Sequence, residues 1–77
     1  MTYRLILAVS YDDSPALQIT DHPHGRAVRK ALLGAVDIDD AGWEKIHAYL
    51  ESPAIGAAYT VKDTDTDEPV AYIIRTA

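Results

Sequence analysis

Residues 38–53 read IDDAGWEKIHAYLESP and form the clearest helical pattern in the chain. Asp39 is a suitable N-cap, and Ile38 and Trp43 flank it in the arrangement of a hydrophobic staple. Large side chains then recur at helical spacing, at Trp43, Ile46, His47 and Leu50. Pro53 disfavours helical geometry in the residue before it, so the helix is expected to end there. The segment therefore predicts a helix near the middle of the chain.

A second helix is predicted on the N-terminal side, over residues 23–35. Its apolar positions recur at helical spacing, at Ala27, Val28, Ala31, Leu32 and Ala35. Thr20 or Asp21 can cap this helix, and Pro23 is tolerated in the first turn because an N–H there has no helical partner. Each glycine inside the segment lowers the stability of the predicted helix by about 1 kcal/mol.

Outside this helical pair, the N-terminal segment predicts a β-hairpin. Residues 3–11 alternate, which places Tyr3, Leu5, Leu7, Val9 and Tyr11 on one side and Arg4, Ile6, Ala8 and Ser10 on the other. Residues 12–15 read DDSP, which is typical of a turn. Residues 16–20 then predict a short second strand, with Leu17 and Ile19 on one face.

The C-terminal segment predicts a second hairpin. Residues 55–61 alternate as a strand, residues 63–69 form a polar acidic loop, and residues 70–75 form the last strand. That last strand carries large apolar groups on both faces, so it is expected to lie centrally in the sheet.

The predicted order is β-β-α-α-β-β in one small α+β domain over residues 1–77. We expect a four-stranded, mainly antiparallel sheet with two helices packed on one face. The pattern does not determine whether the first or the second strand meets the C-terminal hairpin.

Composition narrows the classes of function. The chain has 77 residues, no cysteine and a net charge of −5, with 12 acidic and 7 basic residues. The charge disfavours nucleic acid and anionic membranes as partners, and the lack of cysteine excludes disulfides and thiolate metal sites. The apolar run near the N-terminus is too short for a signal peptide or a membrane span, so we expect a cytoplasmic protein. A chain this short gains buried area by self-association, which favours a homodimer.

No combination of side chains predicts catalysis. A cysteine nucleophile is absent, and the serines occur at predicted turns or strand ends without a Gly-x-Ser-x-Gly context. We therefore expect no enzyme activity, no catalytic residues, no cofactor and no small-molecule substrate.

Two segments have partial metal-binding patterns. Asp63, Asp65 and Asp67 imitate the start of a calcium loop, but Glu68 and Ile74 stand where an EF-hand needs glycine and glutamate. His22 and His24 adjoin a carboxylate, but a structural zinc site needs four ligands. We expect a solvated loop and water-facing histidines, with no metal.

Four residues are candidate binding residues. Arg26, Arg29 and Lys30 share one helical face, which suits phosphates, an acidic protein partner or simply water. Tyr49 lies off the apolar stripe of its helix and is the candidate for an exposed interface aromatic; alternatively, it packs with Ala48 on the first helix.

The whole chain resembles, in composition only, small uncharacterised proteins of actinobacteria and actinobacteriophages. It is rich in alanine, aspartate and arginine and poor in lysine, and it has no cysteine or phenylalanine. The resemblance implies a phage-like accessory protein that binds a host or phage protein. Our leading hypothesis is a non-catalytic protein-binding protein. The alternatives are a nucleic-acid-associated regulator that uses the basic helix face, and an acidic nucleic-acid mimic that uses Asp12, Asp13, Asp37, Asp39, Asp40 and residues 63–68.

Overall fold

A computed structural model of the protein describes the backbone of residues 1–11 and 14–77 and the side chains of residues 1–8 and 16–77. In chain order, the elements are β1 (Tyr3–Tyr11), β2 (Ser14–His22), α1 (Gly25–Leu33), α2 (Asp40–Glu51), β3 (Ala58–Lys62) and β4 (Pro69–Arg75). The predicted α+β class and the order β-β-α-α-β-β are confirmed.

The four strands form one antiparallel sheet in the order β2-β1-β4-β3. Strand β4 lies centrally, as its two apolar faces predicted. Strand β1, rather than β2, meets the C-terminal hairpin, with Leu5 opposite Ile73 and Tyr3 opposite Arg75. Backbone hydrogen bonds of Thr2 to both Thr76 and Ala77 continue this pairing to the chain ends.

The core lies between the helices and one face of the sheet. Its buried members are Tyr3, Leu5, Leu7, Val28, Leu32, Ile46, Val61, Ala71 and Ile73. Helix α1 contributes two of them and α2 contributes one. Alternate strand residues point to opposite faces of a sheet, so Tyr3, Leu5 and Leu7 of β1 and Ala71 and Ile73 of β4 lie under this cover. Neither helix of the described chain has the length and hydropathy needed to cross a membrane.

Helix α2 begins as predicted. The side chain of Asp39 accepts a hydrogen bond of 2.8 Å from the backbone N–H of Gly42. Ile38 packs so closely over Gly42 that a Cβ added there would lie 2.5 Å from Ile38 Cγ2. Ile46 is buried on the predicted apolar stripe, whereas His47 is exposed.

The N-terminal hairpin corrects two predictions. Strand β2 runs from residue 14 to residue 22, so the strand predicted over 16–20 is too short and the turn predicted at 14–15 is wrong. A proline is tolerated at position 15 because β2 is an edge strand. The remainder of that predicted turn, Asp12 and Asp13, lies outside the described residues.

The predicted cap of α1 at Thr20 or Asp21 is also wrong, because both residues belong to β2. Asp21 pairs with Arg4 across the strands, and the chain leaves the sheet only after His22. The cap is His24, whose Nδ1 accepts a 3.1 Å hydrogen bond from the backbone N–H of Ala27. Helix α1 is therefore shorter than the predicted 23–35.

Strand β3 starts at residue 58 instead of the predicted 55. The N–H of Ala57 donates to the carbonyl oxygen of Ala54, which closes a turn, and Gly56 adopts a φ of 85° inside it. Glycine adopts this left-handed geometry without the steric cost that other residues meet. The turn delays the strand by three residues.

Candidate interaction surface

The sheet face opposite the helices is an apolar surface that the described chain leaves uncovered. We call it the open face. Its apolar residues are Ile6, Ala8, Leu17, Ile19, Tyr72 and Ile74. The exposed fraction of the residue is 67% for Leu17, 58% for Ile19 and 39% for Tyr72. Contiguous exposed apolar residues on small proteins are a typical feature of interaction sites.

The strand register brings these residues into contact rows. Ile19 of β2 stands opposite Ile6 of β1, which stands opposite Tyr72 of β4. Leu17 stands opposite Ala8 in the next row towards the hairpin tip. The apolar residues of three strands therefore form one continuous patch rather than scattered single side chains.

An ion pair borders the patch at the other end of the strands. Arg4 Nε donates to Asp21 Oδ1 at 2.9 Å, and Arg4 Nη2 donates to Asp21 Oδ2 at 3.4 Å. The hydrogen bond from Arg4 lowers the pKa of the Asp21 carboxyl, and the same bond raises the pKa of the Arg4 guanidinium. Both side chains are exposed, so the pair is a polar border rather than a buried charge site.

The structure places Tyr49 elsewhere. Its ring is half-buried and packs against Tyr3 and Tyr59, with ring centroids 6.4 and 5.5 Å away. Its hydroxyl donates a 2.6 Å hydrogen bond to the carbonyl oxygen of Ala57, and burial raises the pKa of this phenol. The expectation of an exposed Tyr49 is wrong, as is the alternative that it packs with Ala48 on α1. Tyr49 instead anchors α2 to the sheet.

The predicted basic face exists on α1 but lies away from the open face. Arg26, Arg29 and Lys30 are all exposed. Within the part of the chain that the structure describes, none of them forms an ion pair. Arg26 and Arg29 line a shallow cleft of about 340 Å³ between the helices, which Glu51 and His47 also line.

Acidic residues converge at the start of α2. The backbone N–H of Asp39 donates to Thr64 Oγ1, which ties this helix end to loop 63–68. Asp39, Asp63 and Asp67 line one cleft of about 430 Å³, together with Lys45 and Lys62. The two lysines offset part of the negative charge there.

In the two segments with partial metal-binding patterns, Asp63, His22 and His24 form local hydrogen bonds. Asp63 Oδ1 accepts from the N–H groups of Asp65 and Thr66 at 2.8 and 3.1 Å, which folds the acidic loop on itself. His22 Nε2 lies 2.8 Å from Thr20 Oγ1, and His24 caps α1. Among the residues that the structure describes, no group of three or more potential metal ligands lies together.

Sequence reasoning missed Leu17, Ile19 and Tyr72 as surface residues. The large apolar side chains on both faces of β4 were a signal for Tyr72 alone. The local pattern of β2 does not show that the face with Leu17 and Ile19 is uncovered. The two helices cover one face of the four-stranded sheet, so the apolar residues on its other face remain uncovered within the described chain.

Comparisons of the chain with protein-family models, with curated proteins and with solved structures found no match.

Proposed function

We propose that this protein is a non-catalytic binding module that docks on a protein partner through the open face of its sheet. The observation that carries the proposal is the high exposure of Leu17 and Ile19 in a continuous apolar patch. Exposing such side chains to water is unfavourable by about 25 cal/mol for each Å² of apolar surface, and a partner removes that penalty.

The chemistry of the open face supports a protein partner. Specific protein interfaces have an apolar centre and a polar rim, and they are enriched in aromatic residues. Here Ile6 and Tyr72 occupy the central strands, and the Arg4–Asp21 pair lies at the border. The strands of the face are held by backbone hydrogen bonds, so little backbone freedom is lost on docking.

The distribution of polar groups supports a role without catalysis. Catalytic acids and bases usually lie in clefts where burial or a charged neighbour shifts their pKa. In the described ranges no polar or charged residue is buried, and the shifted groups are an exposed surface pair and one packed tyrosine.

A second candidate function uses the basic face of α1. The exposure of Arg26, Arg29 and Lys30 favours contact with phosphates, whereas the net charge of −5 opposes it. In this alternative, Arg29→Glu abolishes binding to nucleic acid, and wild-type binding weakens steeply as salt rises. Binding that does not change with salt concentration, or that persists in Arg29→Glu, contradicts this alternative.

The leading proposal is tested by photo-crosslinking in cells of the organism that encodes the protein. A photoreactive amino acid is placed at Leu17, or at Ile55 as the control, because Ile55 is 69% exposed but lies in the turn before β3. We expect a discrete protein adduct from position 17 and none from position 55. Ile19→Asp, introduced beside the position-17 probe, should remove the adduct.

Equal adducts from both positions, or no adduct from position 17, would overturn the proposal. An adduct that persists with Ile19→Asp would also overturn it, because the contact would then not depend on the apolar patch.

A further inference from the structure

The area of the open face and the distribution of charge around it suit one particular occupant. We propose that a second copy of this chain covers it, so that two sheets pack face to face as a two-layer sandwich. This inference rests on the proposed function, because it names the partner for the same surface. Aligned packing of two antiparallel sheets about 10 Å apart is a common way to bury such faces.

The area of the open face matches what a weak dimer needs. Four strands spaced about 4.8 Å apart, with five to nine residues of about 3.4 Å each, give a face of roughly 500 Å². Two copies would together bury about 1,000 Å², which is at the lower end for specific complexes. The dimer is therefore expected to be reversible and dependent on concentration.

The charge distribution favours self-docking on this face over other surfaces. Two copies with a net charge of −5 repel each other at most approaches. In the described rows between Arg4 and Ala8, the charged residues are Arg4 and Asp21, and these form an ion pair with each other. The acidic loop 63–68 joins β3 to β4 beyond the ends of both strands, outside those rows. Two copies that meet through the open face therefore experience little electrostatic repulsion.

The edges of the sheet suit a second copy less well. Strand β3 has five residues and an irregular register at Val61 and Lys62, which interrupts a regular edge. Strand β2 contains Pro15, which lacks the N–H that an added strand would need. Pairing through β2 would also leave Leu17 and Ile19 exposed on the open face. Face-to-face packing covers both.

Dimerisation would add buried area to a chain with a small core. Its buried core consists of nine described residues between one sheet face and two short helices. Small domains bury a low fraction of their surface, and many obtain the remainder from a partner subunit. A face-to-face dimer would convert the sheet from a layer with one buried side into a layer buried on both sides.

The test is sedimentation equilibrium of the purified protein, between about 10 µM and about 1 mM, a range chosen for an interface of this small area. We expect the mean mass of the wild type to rise from that of one 8.4 kDa chain towards that of two chains. Leu17→Asp and Ile19→Asp should keep the mass at one chain throughout. Both variants should retain wild-type circular dichroism, because the side chains they alter are exposed.

Two control variants alter residues that are about as exposed as Leu17 and Ile19. Leu33→Asp alters a side chain that is 59% exposed on α1, and Ile55→Asp alters one that is 69% exposed in a turn. Both controls should associate like the wild type. A wild type that stays at one chain at the highest concentration overturns the inference, and so does an equal loss of association in the controls.

Failure of this inference is distinguishable from failure of the proposed function. A chain that is monomeric in isolation, yet forms a position-17 adduct with a different protein in cells, overturns the second-copy inference and leaves the binding module standing. No adduct in cells and no association in isolation would overturn both.

Discussion

The two faces of the sheet are alike in composition and opposite in environment. On the covered face, Leu5 and Ile73 have no exposed surface, whereas on the open face Leu17 and Ile19 are more than half exposed. All four are large aliphatic residues in strands, so their chemistry does not separate them. The difference arises because α1 and α2 connect one hairpin to the other and lie on a single side of the sheet. Apolar alternation therefore identifies strands but does not identify which face is the interior.

The sharpest test of this comparison uses two neighbours in β4. Ile73 is fully buried and Ile74 is half-buried on the opposite face. Ile73→Ala should lower the free energy of unfolding by about 3 to 4 kcal/mol, because it leaves a cavity in a closed core, and Ile74→Ala by about 1 kcal/mol. Urea unfolding at low micromolar protein concentration measures both values for the monomer. Equal losses would mean that the open face is covered within one chain.

The cover over the buried face depends on how α2 begins, and two glycines test this. Gly42→Ala should destabilise the protein by about 1 kcal/mol, since the clash with Ile38 exceeds the gain in helix propensity. Gly34→Ala should stabilise it by about 0.5 to 1 kcal/mol, because Gly34 has a φ of −86° and open space around it. Melting temperatures of the two variants should shift in opposite directions. A rise in the melting temperature of Gly42→Ala would contradict the close packing of Ile38 on Gly42.

Tyr49 holds the other end of α2 to the sheet, and its ionisation tests that contact. Burial raises the pKa of this phenol, so the unfolded chain ionises first as the pH rises. The stability that Tyr49 contributes is therefore complete below a pH of about 10 and is lost as the pH rises through the folded-state pKa. Tyr49→Phe should lower stability by about 1 kcal/mol at neutral pH, because the hydrogen bond to Ala57 is lost, and should flatten the alkaline decline. Tyr72→Phe is the control, since Tyr72 lies on the open face, and it should retain the wild-type decline.

The smallest effect is expected at the border of the open face. Asp21→Asn removes the ion pair with Arg4, and both side chains are exposed, so the melting temperature should fall only slightly. The pKa of Asp21 is lowered in the folded state, so the pair contributes above a pH of about 4 and its contribution is lost as the pH falls through the folded-state pKa. At neutral pH the melting temperature of the wild type should therefore be slightly above that of Asp21→Asn. In acid the two melting temperatures should converge. High salt should reduce the difference in the same way. A large effect at all pH values would place the pair in a buried contact.

Much of the architecture could be predicted from the sequence because it depends on local pattern. The alternation in β1 and β4, the helical spacing in α2 and the Asp39 cap each act within a few residues. The central position of β4 was predicted as well, since its apolar side chains on both faces reflect a strand with neighbours on both sides.

Two of the errors concern contacts between residues that are distant in the chain. The end of β2 is held by pairing with β1, where Thr20 stands opposite Leu5 and Asp21 stands opposite Arg4. The local helix-start pattern at Thr20 and Asp21 therefore misled the prediction. Tyr49 was expected to be exposed because its position on α2 lies off the apolar stripe. It is held instead by an acceptor at Ala57 and by the rings of Tyr3 and Tyr59.

The candidate binding residues show the same division. Arg26, Arg29 and Lys30 share an exposed helical face, as their spacing predicted. The open face could not be identified in advance, because Leu17, Ile19 and Tyr72 come from separate strands whose register is a tertiary property.

By itself, the sequence determined the class of fold, the order of its elements and the start of its better helix, because hydrophobic period and capping act over short distances. Only the tertiary structure decided that β1 meets β4, that the helices cover the Leu5 side of the sheet, and that the opposite side stays apolar and exposed. The physical reason is that strand order and sheet coverage depend on which distant surfaces pack together, and the same alternating pattern is compatible with burying either face.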